Sequence, residues 1–215
     1  ELDRVATDIV KGLLSLAKKS AGDGEATSYS DSPARIRLLS SLAEGADRLA
    51  FKASRFQQNP NIQLERNAIL PFPREIFCGD FDAENSVIDS SEGTVDEFMG
   101  ILEALEKQGL KDWLRELHGD TDQRDQAYNA CSKALVAASD VLIAIYDKKN
   151  YSGVGTAYTI QCAAVKGIPV IHIPNSEGPA RMVYTDKTGA RATEQYSQQR
   201  LLAVLQEFTF VGLQN

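Results

Sequence analysis

Four consecutive residues in the second half of the chain, Gly153-Val154-Gly155-Thr156, have the types and spacing of a phosphate-binding turn. Glycine lets the backbone approach a ligand closely, and the first N–H groups of a helix attract an anion. The turn follows an apolar run at residues 141–146 and precedes a segment with helical spacing. The pattern therefore predicts either a phosphate or nucleotide site or a tight strand-to-helix turn that binds nothing.

Two serines follow a second apolar run, at residues 36–39. Ser40 and Ser41 come at the carboxyl end of this predicted strand, where a hydroxyl can contact a ligand or cap the next helix. Three charged residues follow within one helical turn of each other: Glu44, Asp47 and Arg48. They predict either an exposed ion pair or a polar cluster that faces the ligand, and we include Glu44 among the candidate ligand contacts.

Arg74 follows a third predicted strand, at residues 63–70. The sequence Pro71-Phe72-Pro73 stiffens the exit from this strand and holds the chain extended. Arg74 is therefore predicted either to bind a phosphate or carboxylate or to pair on the surface with Glu75 or Asp80. Asp147, directly after the run at residues 141–146, completes the candidate ligand contacts.

Composition excludes several classes of protein. The net charge of -7 over 215 residues argues against a nucleic-acid or anionic-membrane binder, which would have a basic face. The three cysteines have neither metal-ligand spacing nor a disulfide framework, and we interpret Asp120, Asp122 and Asp125 as helix caps. No apolar run is long enough to span a membrane, and no signal peptide is visible. We expect a cytoplasmic protein without a metal or a cofactor.

Hydrophobic periodicity predicts alternating helices and strands. Apolar strands joined by helices must be parallel, because the crossover returns the chain to the same edge of the sheet. The expected fold is α/β, a Rossmann-like doubly wound, mainly parallel sheet with helices on both faces, in a single domain over residues 1–215. The predicted strands are residues 36–39, 63–70, 141–146 and 168–173. The predicted helices are residues 2–19, one that continues through Leu49, Ala50, Ala53 and Phe56, two within 95–117 divided at Gly109, 127–136, 157–165 and 196–208. Residues 175–194 are expected to form a lid or a hairpin.

Four blocks of sequence together resemble a known family: LLSSLAEGADRLA, AILPFPREIFCGDF, ASDVLIAIYD and GVGTAYTIQCAAVKGIPVIHI, in that order. They are similar to the SLOG superfamily, whose members include the LOG nucleotide hydrolases, the DNA-processing protein DprA and sensor domains of bacterial conflict systems. The resemblance covers residues 36–174. It implies a parallel sheet with a ligand site at the strand ends. Many family members begin with a further strand, so the resemblance also implies a domain excised from a longer protein.

The chain departs from the LOG signature PGGxGTxxE at three positions, and the motif proline falls on Tyr151. Gly153, Gly155 and Thr156 match, but the first motif glycine falls on Ser152 and the catalytic glutamate on Thr159. Threonine cannot act as a carboxylate base, so the resemblance implies a phosphate cradle without the hydrolytic chemistry.

The resemblance therefore implies a sensor rather than an enzyme. We expect a homodimeric domain that binds a nucleotide, or a linear or cyclic nucleotide-derived second messenger, and regulates an effector in the same polypeptide during antiphage defence. Two alternatives remain open: a nucleotide N-glycosidase or phosphoribohydrolase that uses Glu44 or Asp47, and a structural domain for oligomerisation.

Overall fold

The computed structural model describes residues 8–9, 11–13, 34–45, 47–49, 51, 62–81, 94–109, 113–146, 153, 155–174, 178–186 and 188–211. Within these ranges, residues 8–9 and 11–13 are helical, as are residues 47–49 and 51. The predicted helix over residues 2–19 is thus confirmed where it is described. None of the helices in these ranges is both long enough and apolar enough to cross a membrane.

The first sheet consists of three parallel strands: β1 (Ala34–Ser40), β2 (Ile62–Leu70) and β3 (Leu114–Glu116). The order is β1-β2-β3, with Ser40 next to Ala68 and Ala68 next to Leu114. The two strands predicted here are confirmed. The predicted second helix between Gly109 and Leu117 is wrong, because its last residues pair with β2 as β3. The Ala68 N–H donates to the Trp113 carbonyl at 2.8 Å, so tertiary pairing overrides the helical spacing.

The second sheet combines parallel and antiparallel strands. Its strands are β4 (Leu142–Ile145), β5 (Val170–Ile173), β6 (Arg181–Thr185) and β7 (Arg191–Gln195), in that order. β4 and β5 are parallel as predicted, whereas β6 and β7 form an antiparallel hairpin beside β5. The connection from β5 to β6 is too short for a crossover helix, which forces the chain to reverse. Within the segment predicted as a lid or a hairpin, residues 181–185 therefore pair with residues 191–195 as a hairpin at the edge of this sheet.

The described residues also form the α-helices α1 (Arg74–Phe77), α2 (Val95–Glu106), α3 (Arg124–Ala137), α4 (Thr156–Val165) and α5 (Gln198–Val211). The predictions of α2 to α5 are confirmed to within a few residues. Asp120 accepts a hydrogen bond from the Asp122 N–H at 2.9 Å in the turn before α3, which confirms its capping role. The described residues form an α/β structure with two separate sheets, and not the single doubly wound sheet that we predicted.

Helices cover both faces of the second sheet. On one face, Ile171, Ile173 and Met182 pack against Ile9 and against Leu201 of α5. On the other face, the buried residues are Val136 of α3, Ala144, Ile160 and Ala163 of α4, Val170 and Val183. The first sheet has a separate core, in which strand residues pack against an aromatic group and α2: Leu38, Ala68, Leu70, Phe72, Phe77, Phe81, Phe98, Ile101, Leu102 and Leu105.

Candidate functional site

The glycine turn begins α4. Gly155 is the N-cap residue, with φ 73° and ψ -136°, and it forms no side-chain cap. This backbone conformation is essentially restricted to glycine. The first N–H groups of an α-helix have no partner within the helix, and glycine has no side-chain oxygen to accept from them. Gly153 and Thr156 on either side are exposed, so this end of α4 is open to solvent. Val154, like Asp147, lies outside the described residues.

Thr159, which the sequence resemblance aligns with the LOG glutamate, lies one turn into α4. Its Oγ1 is 3.0 Å from the Gly155 carbonyl oxygen and 2.9 Å from Ser132 Oγ on α3. The Thr159 N–H also donates to the Gly155 carbonyl, at 3.0 Å. The threonine hydroxyl therefore holds the turn and contacts α3.

The loop after β1 is held together by its own polar groups. Ser40 Oγ donates to the Asp47 carbonyl at 3.1 Å and accepts from the Leu42 N–H at 3.0 Å. Ser41 Oγ donates to the Asp47 carboxylate, and Glu44 is partly buried in the same loop. Burial raises the pKa of Asp47, and its hydrogen bonds with the loop act in the opposite direction. Both serine hydroxyls thus maintain the loop, and their contact with a ligand stays a prediction.

Arg48 is buried between the loop after β1 and α2. Its side chain is 1% exposed and pairs with Glu97 of α2, with 2.9 Å between Nη1 and Oε2. The guanidinium carbon lies 4.3 Å from the centre of the Phe81 ring. It also donates to the Leu42 carbonyl through Nε at 3.1 Å, and Leu42 has φ 58°. Neither expectation for Arg48 describes this arrangement: its ion pair is with α2 and is buried.

Arg74 pairs with a residue that neither alternative named. Its Nε lies 2.6 Å from Glu116 Oε1, at the end of β3, and both side chains are about one-third exposed or less. Asp80, which we considered as a partner of Arg74, instead contacts Arg124 and Tyr128 of α3. The pairing follows from the register, because β3 lies beside β2 and Arg74 follows β2 directly. Arg74 is therefore held by a carboxylate at this end of the first sheet.

Two residues of α3, which the sequence did not single out, lie beside the candidate residues. Cys131 Sγ is 3.1 Å from the Ile69 carbonyl oxygen of β2, and the neighbouring Ser132 contacts Thr159. Burial raises the pKa of the Cys131 thiol to about 12, and the negative charge of Asp47 acts in the same direction. In the sequence these two positions are only a cysteine and a serine side by side in a predicted helix, which is a weak signal for a functional role.

Cys131 is therefore expected to be unreactive while the protein is folded. With a pKa of about 12, roughly one thiol in 10,000 is ionised at pH 8, and Cys131 is also buried. Iodoacetamide at pH 8, followed by peptide mass spectrometry, should modify Cys131 at least about a hundredfold more slowly than in urea. Cys78 and Cys162 are partly exposed and serve as internal controls. Equal labelling of all three thiols in the folded protein would contradict the prediction.

The candidate residues fall into three groups. Ser40, Ser41, Glu44 and Asp47 share the loop after β1. Gly153 and Gly155 lie between β4 and α4, Thr156 is the first residue of α4, and Arg74 follows β2 in the first sheet. Helix α3 contacts the second group, because Ser132 lies within hydrogen-bond distance of Thr159.

No cluster of three or more His, Cys, Asp or Glu side chains suited to a metal ion occurs in the part of the chain that the structure describes. Comparisons with protein-family models, with curated proteins and with solved structures give no match to this chain.

Proposed function

We propose that this chain is a ligand-sensing domain that binds a nucleotide or a nucleotide-derived second messenger, linear or cyclic. In this proposal the phosphate binds at the glycine turn. Ligand binding regulates an attached effector in antiphage defence, and the domain acts as a homodimer. The resemblance of four sequence blocks to the SLOG superfamily supports the class of ligand and the biological setting. The geometry of the turn supports the place of binding.

The observation that carries the proposal is the uncapped beginning of α4. A helix N-terminus has partial positive charge from its aligned peptide dipoles, and its free N–H groups point toward the solvent. Here Gly155 adopts a conformation that other residues avoid, and it leaves these groups without a side-chain cap. The beginning of α4 thus depends on a glycine, and it follows the parallel strand β4 in the chain. In α/β proteins with parallel sheets, ligands bind beyond the carboxyl ends of the strands.

The surroundings of Thr159 favour binding over hydrolysis. A LOG-type hydrolase needs a carboxylate near the phosphate-binding turn, whereas Thr159 supplies a hydroxyl that is hydrogen-bonded to Ser132 and Gly155. Of the two alternative carboxylates, Glu44 and Asp47, Asp47 accepts hydrogen bonds within its own loop. We therefore treat hydrolysis as one outcome of the binding experiment.

A thermal-shift panel of nucleotides, cyclic nucleotides and ADP-ribose derivatives tests the proposal. A ligand at about 100 times its Kd stabilises the folded state by about 2.7 kcal/mol. For a domain of this size that amounts to about 2–4 °C per kcal/mol. Chromatography of each mixture afterwards distinguishes the functions. Stabilisation with intact ligand supports a sensor, and release of free base and ribose phosphate indicates a hydrolase. The absence of any shift would contradict both.

Gly155→Ala is expected to reduce the stabilisation by the ligand by about half or more at the same ligand concentration. An alanine at φ 73° and ψ -136° would raise the free energy of the folded state by about 1–3 kcal/mol. We therefore expect the turn to adopt a different backbone conformation in this variant. Apart from the two adjoining residues, no atom of the described residues lies within 4 Å of the added methyl, so the expected effect comes from the backbone conformation. The expected result is at least a tenfold weaker affinity in a calorimetric titration, on the order of 1.4 kcal/mol.

Gly100→Ala is the matched control for this variant. Gly100 is exposed in the middle of α2, and an added methyl there also meets no atom within 4 Å. This variant should bind the ligand as the original chain does. Unchanged affinity in both variants would contradict binding at the glycine turn.

A further inference from the structure

Helix α3 contacts the glycine turn through a chain of hydroxyl groups. Ser132, only 5% exposed, lies with its Oγ 2.9 Å from Thr159 Oγ1. Thr159 Oγ1 is in turn 3.0 Å from the carbonyl oxygen of Gly155. A hydroxyl has one proton to donate. When Thr159 donates to the Gly155 carbonyl, Ser132 donates to Thr159, and the three groups form one directed chain.

This chain ends on the peptide unit that opens α4. The peptide between Gly155 and Thr156 is planar, and its C=O and N–H point in opposite directions. A hydrogen bond that holds the Gly155 oxygen toward Thr159 therefore directs the Thr156 N–H outward from the beginning of the helix. Two donors of Thr159, its N–H and its hydroxyl, converge on this one oxygen. The orientation of the exposed N–H thus depends on α3 as well as on α4.

We propose that Ser132 and Thr159 are positioning residues, which fix the Gly155–Thr156 peptide so that its N–H faces the ligand. This inference rests on the proposed function, because it assigns the anion-binding geometry of the turn to a contact with another helix. Thr159, which aligns with the catalytic glutamate of LOG enzymes, would then orient the backbone of the turn and take no part in a reaction.

The test uses a matched pair of variants at one position. Thr159→Val keeps the shape of the side chain and removes the hydroxyl, whereas Thr159→Ser keeps the hydroxyl and removes the methyl group. Ser132→Ala removes the other end of the chain. The probe is inorganic phosphate, titrated against the full chain and followed by ³¹P NMR. Loss of one neutral hydrogen bond corresponds to a change of about fivefold in Kd. Thr159→Val and Ser132→Ala should show that loss, and Thr159→Ser should bind within about twofold of the original chain.

Amide hydrogen exchange provides a second readout that needs no ligand. The Thr159 N–H is bonded to the Gly155 carbonyl, so its exchange reports whether that peptide stays in place. Exchange at residue 159 should accelerate by about fivefold in Thr159→Val and Ser132→Ala, but not in Thr159→Ser. Amides of Ala163 and Ala164, later in α4, should be unchanged. An equal acceleration along the whole helix would indicate a packing role and overturn the inference.

The two proposals fail in different ways. If the original chain binds phosphate and all three variants bind it equally well, the positioning role is wrong and the ligand site stands. If the original chain does not bind phosphate, phosphate binding at the glycine turn is not supported, and amide exchange alone decides the positioning role. Accelerated exchange confined to residue 159 then supports it, and unchanged exchange contradicts it.

Discussion

Replacing Gly119 by alanine is expected to destabilise the protein by about 3 kcal/mol, near the upper end of what one added methyl costs in a packed core. The new Cβ would lie 2.4 Å from the Ala127 Cβ and 2.6 Å from the Pro71 carbonyl oxygen, with a ring carbon of Phe72 at 2.9 Å. All three distances are far below van der Waals contact. None of these neighbours is the end of a flexible side chain, so the backbone itself would have to move.

The position of Gly119 explains why the site is so tight. Its N–H donates to the Pro71 carbonyl at 3.2 Å, which brings the segment after β3 against the end of β2. Buried Ala127, in the first turn of α3, packs on the same point. A larger residue at position 119 would therefore separate α3 from the first sheet.

Urea unfolding, followed by circular dichroism, measures this effect. Gly100→Ala is the control, because alanine in an exposed helix interior is expected to stabilise the protein by about 0.5–1 kcal/mol. The same chemical change should thus have opposite signs at the two positions. A loss below about 0.5 kcal/mol for Gly119→Ala would contradict the close packing described here.

Arg48→Met is expected to cost about 3–5 kcal/mol, because it removes one partner of a buried ion pair. Arg48 is 1% exposed and its partner Glu97 15% exposed, so little solvent reaches the carboxylate that remains. Two carbonyl groups would lose a donor as well, those of Leu42 and Thr94, both 3.1 Å from the guanidinium. Unsatisfied buried acceptors add to the cost.

Arg35 provides the control for Arg48, because its partner carboxylate keeps a second arginine when Arg35 is removed. The Arg35 side chain is 59% exposed, with its Nε 3.2 Å from Glu65 Oε1, and the buried Glu65 also pairs with Arg37 at 3.0 Å, so Arg35→Met should cost less than about 1 kcal/mol. If Arg48→Met does not fold, Arg48→Lys keeps the charge, but its single nitrogen cannot occupy the positions of both Nε, which donates to Leu42, and Nη1, which donates to Thr94 and Glu97. It should cost about 1–3 kcal/mol in the same urea assay. Equal losses at Arg35 and Arg48 would contradict a special role for burial.

Arg48 also links stability to the candidate site. Its bond to the Leu42 carbonyl holds a residue with φ 58°, next to the loop that contains Ser41 and Asp47. A non-glycine residue in this conformation persists only where its surroundings enforce it. Loosening of this loop should therefore accompany the loss of Arg48.

Local pattern determined much of the secondary structure. The strands at β1, β2, β4 and β5 follow from short apolar runs bounded by polar residues, and α2 to α5 follow from helical periodicity. The parallel pairing of β4 with β5 follows from the helix between them. The glycine turn was also predicted, because only glycine tolerates the backbone that Gly155 adopts. These features depend on residues close together in the chain.

Contacts between distant residues decided the rest. Residues 114–116 form the strand β3 because they pair with β2 through backbone hydrogen bonds. This pairing also places Glu116 next to Arg74. Arg48 appears in the sequence as one charge among several, and its burial depends on Glu97 and Phe81, which lie far along the chain. The division into two sheets and the contact of Ser132 with Thr159 have the same origin. Local periodicity specifies which face of an element is apolar, whereas the partner of that face is chosen by packing of the whole chain.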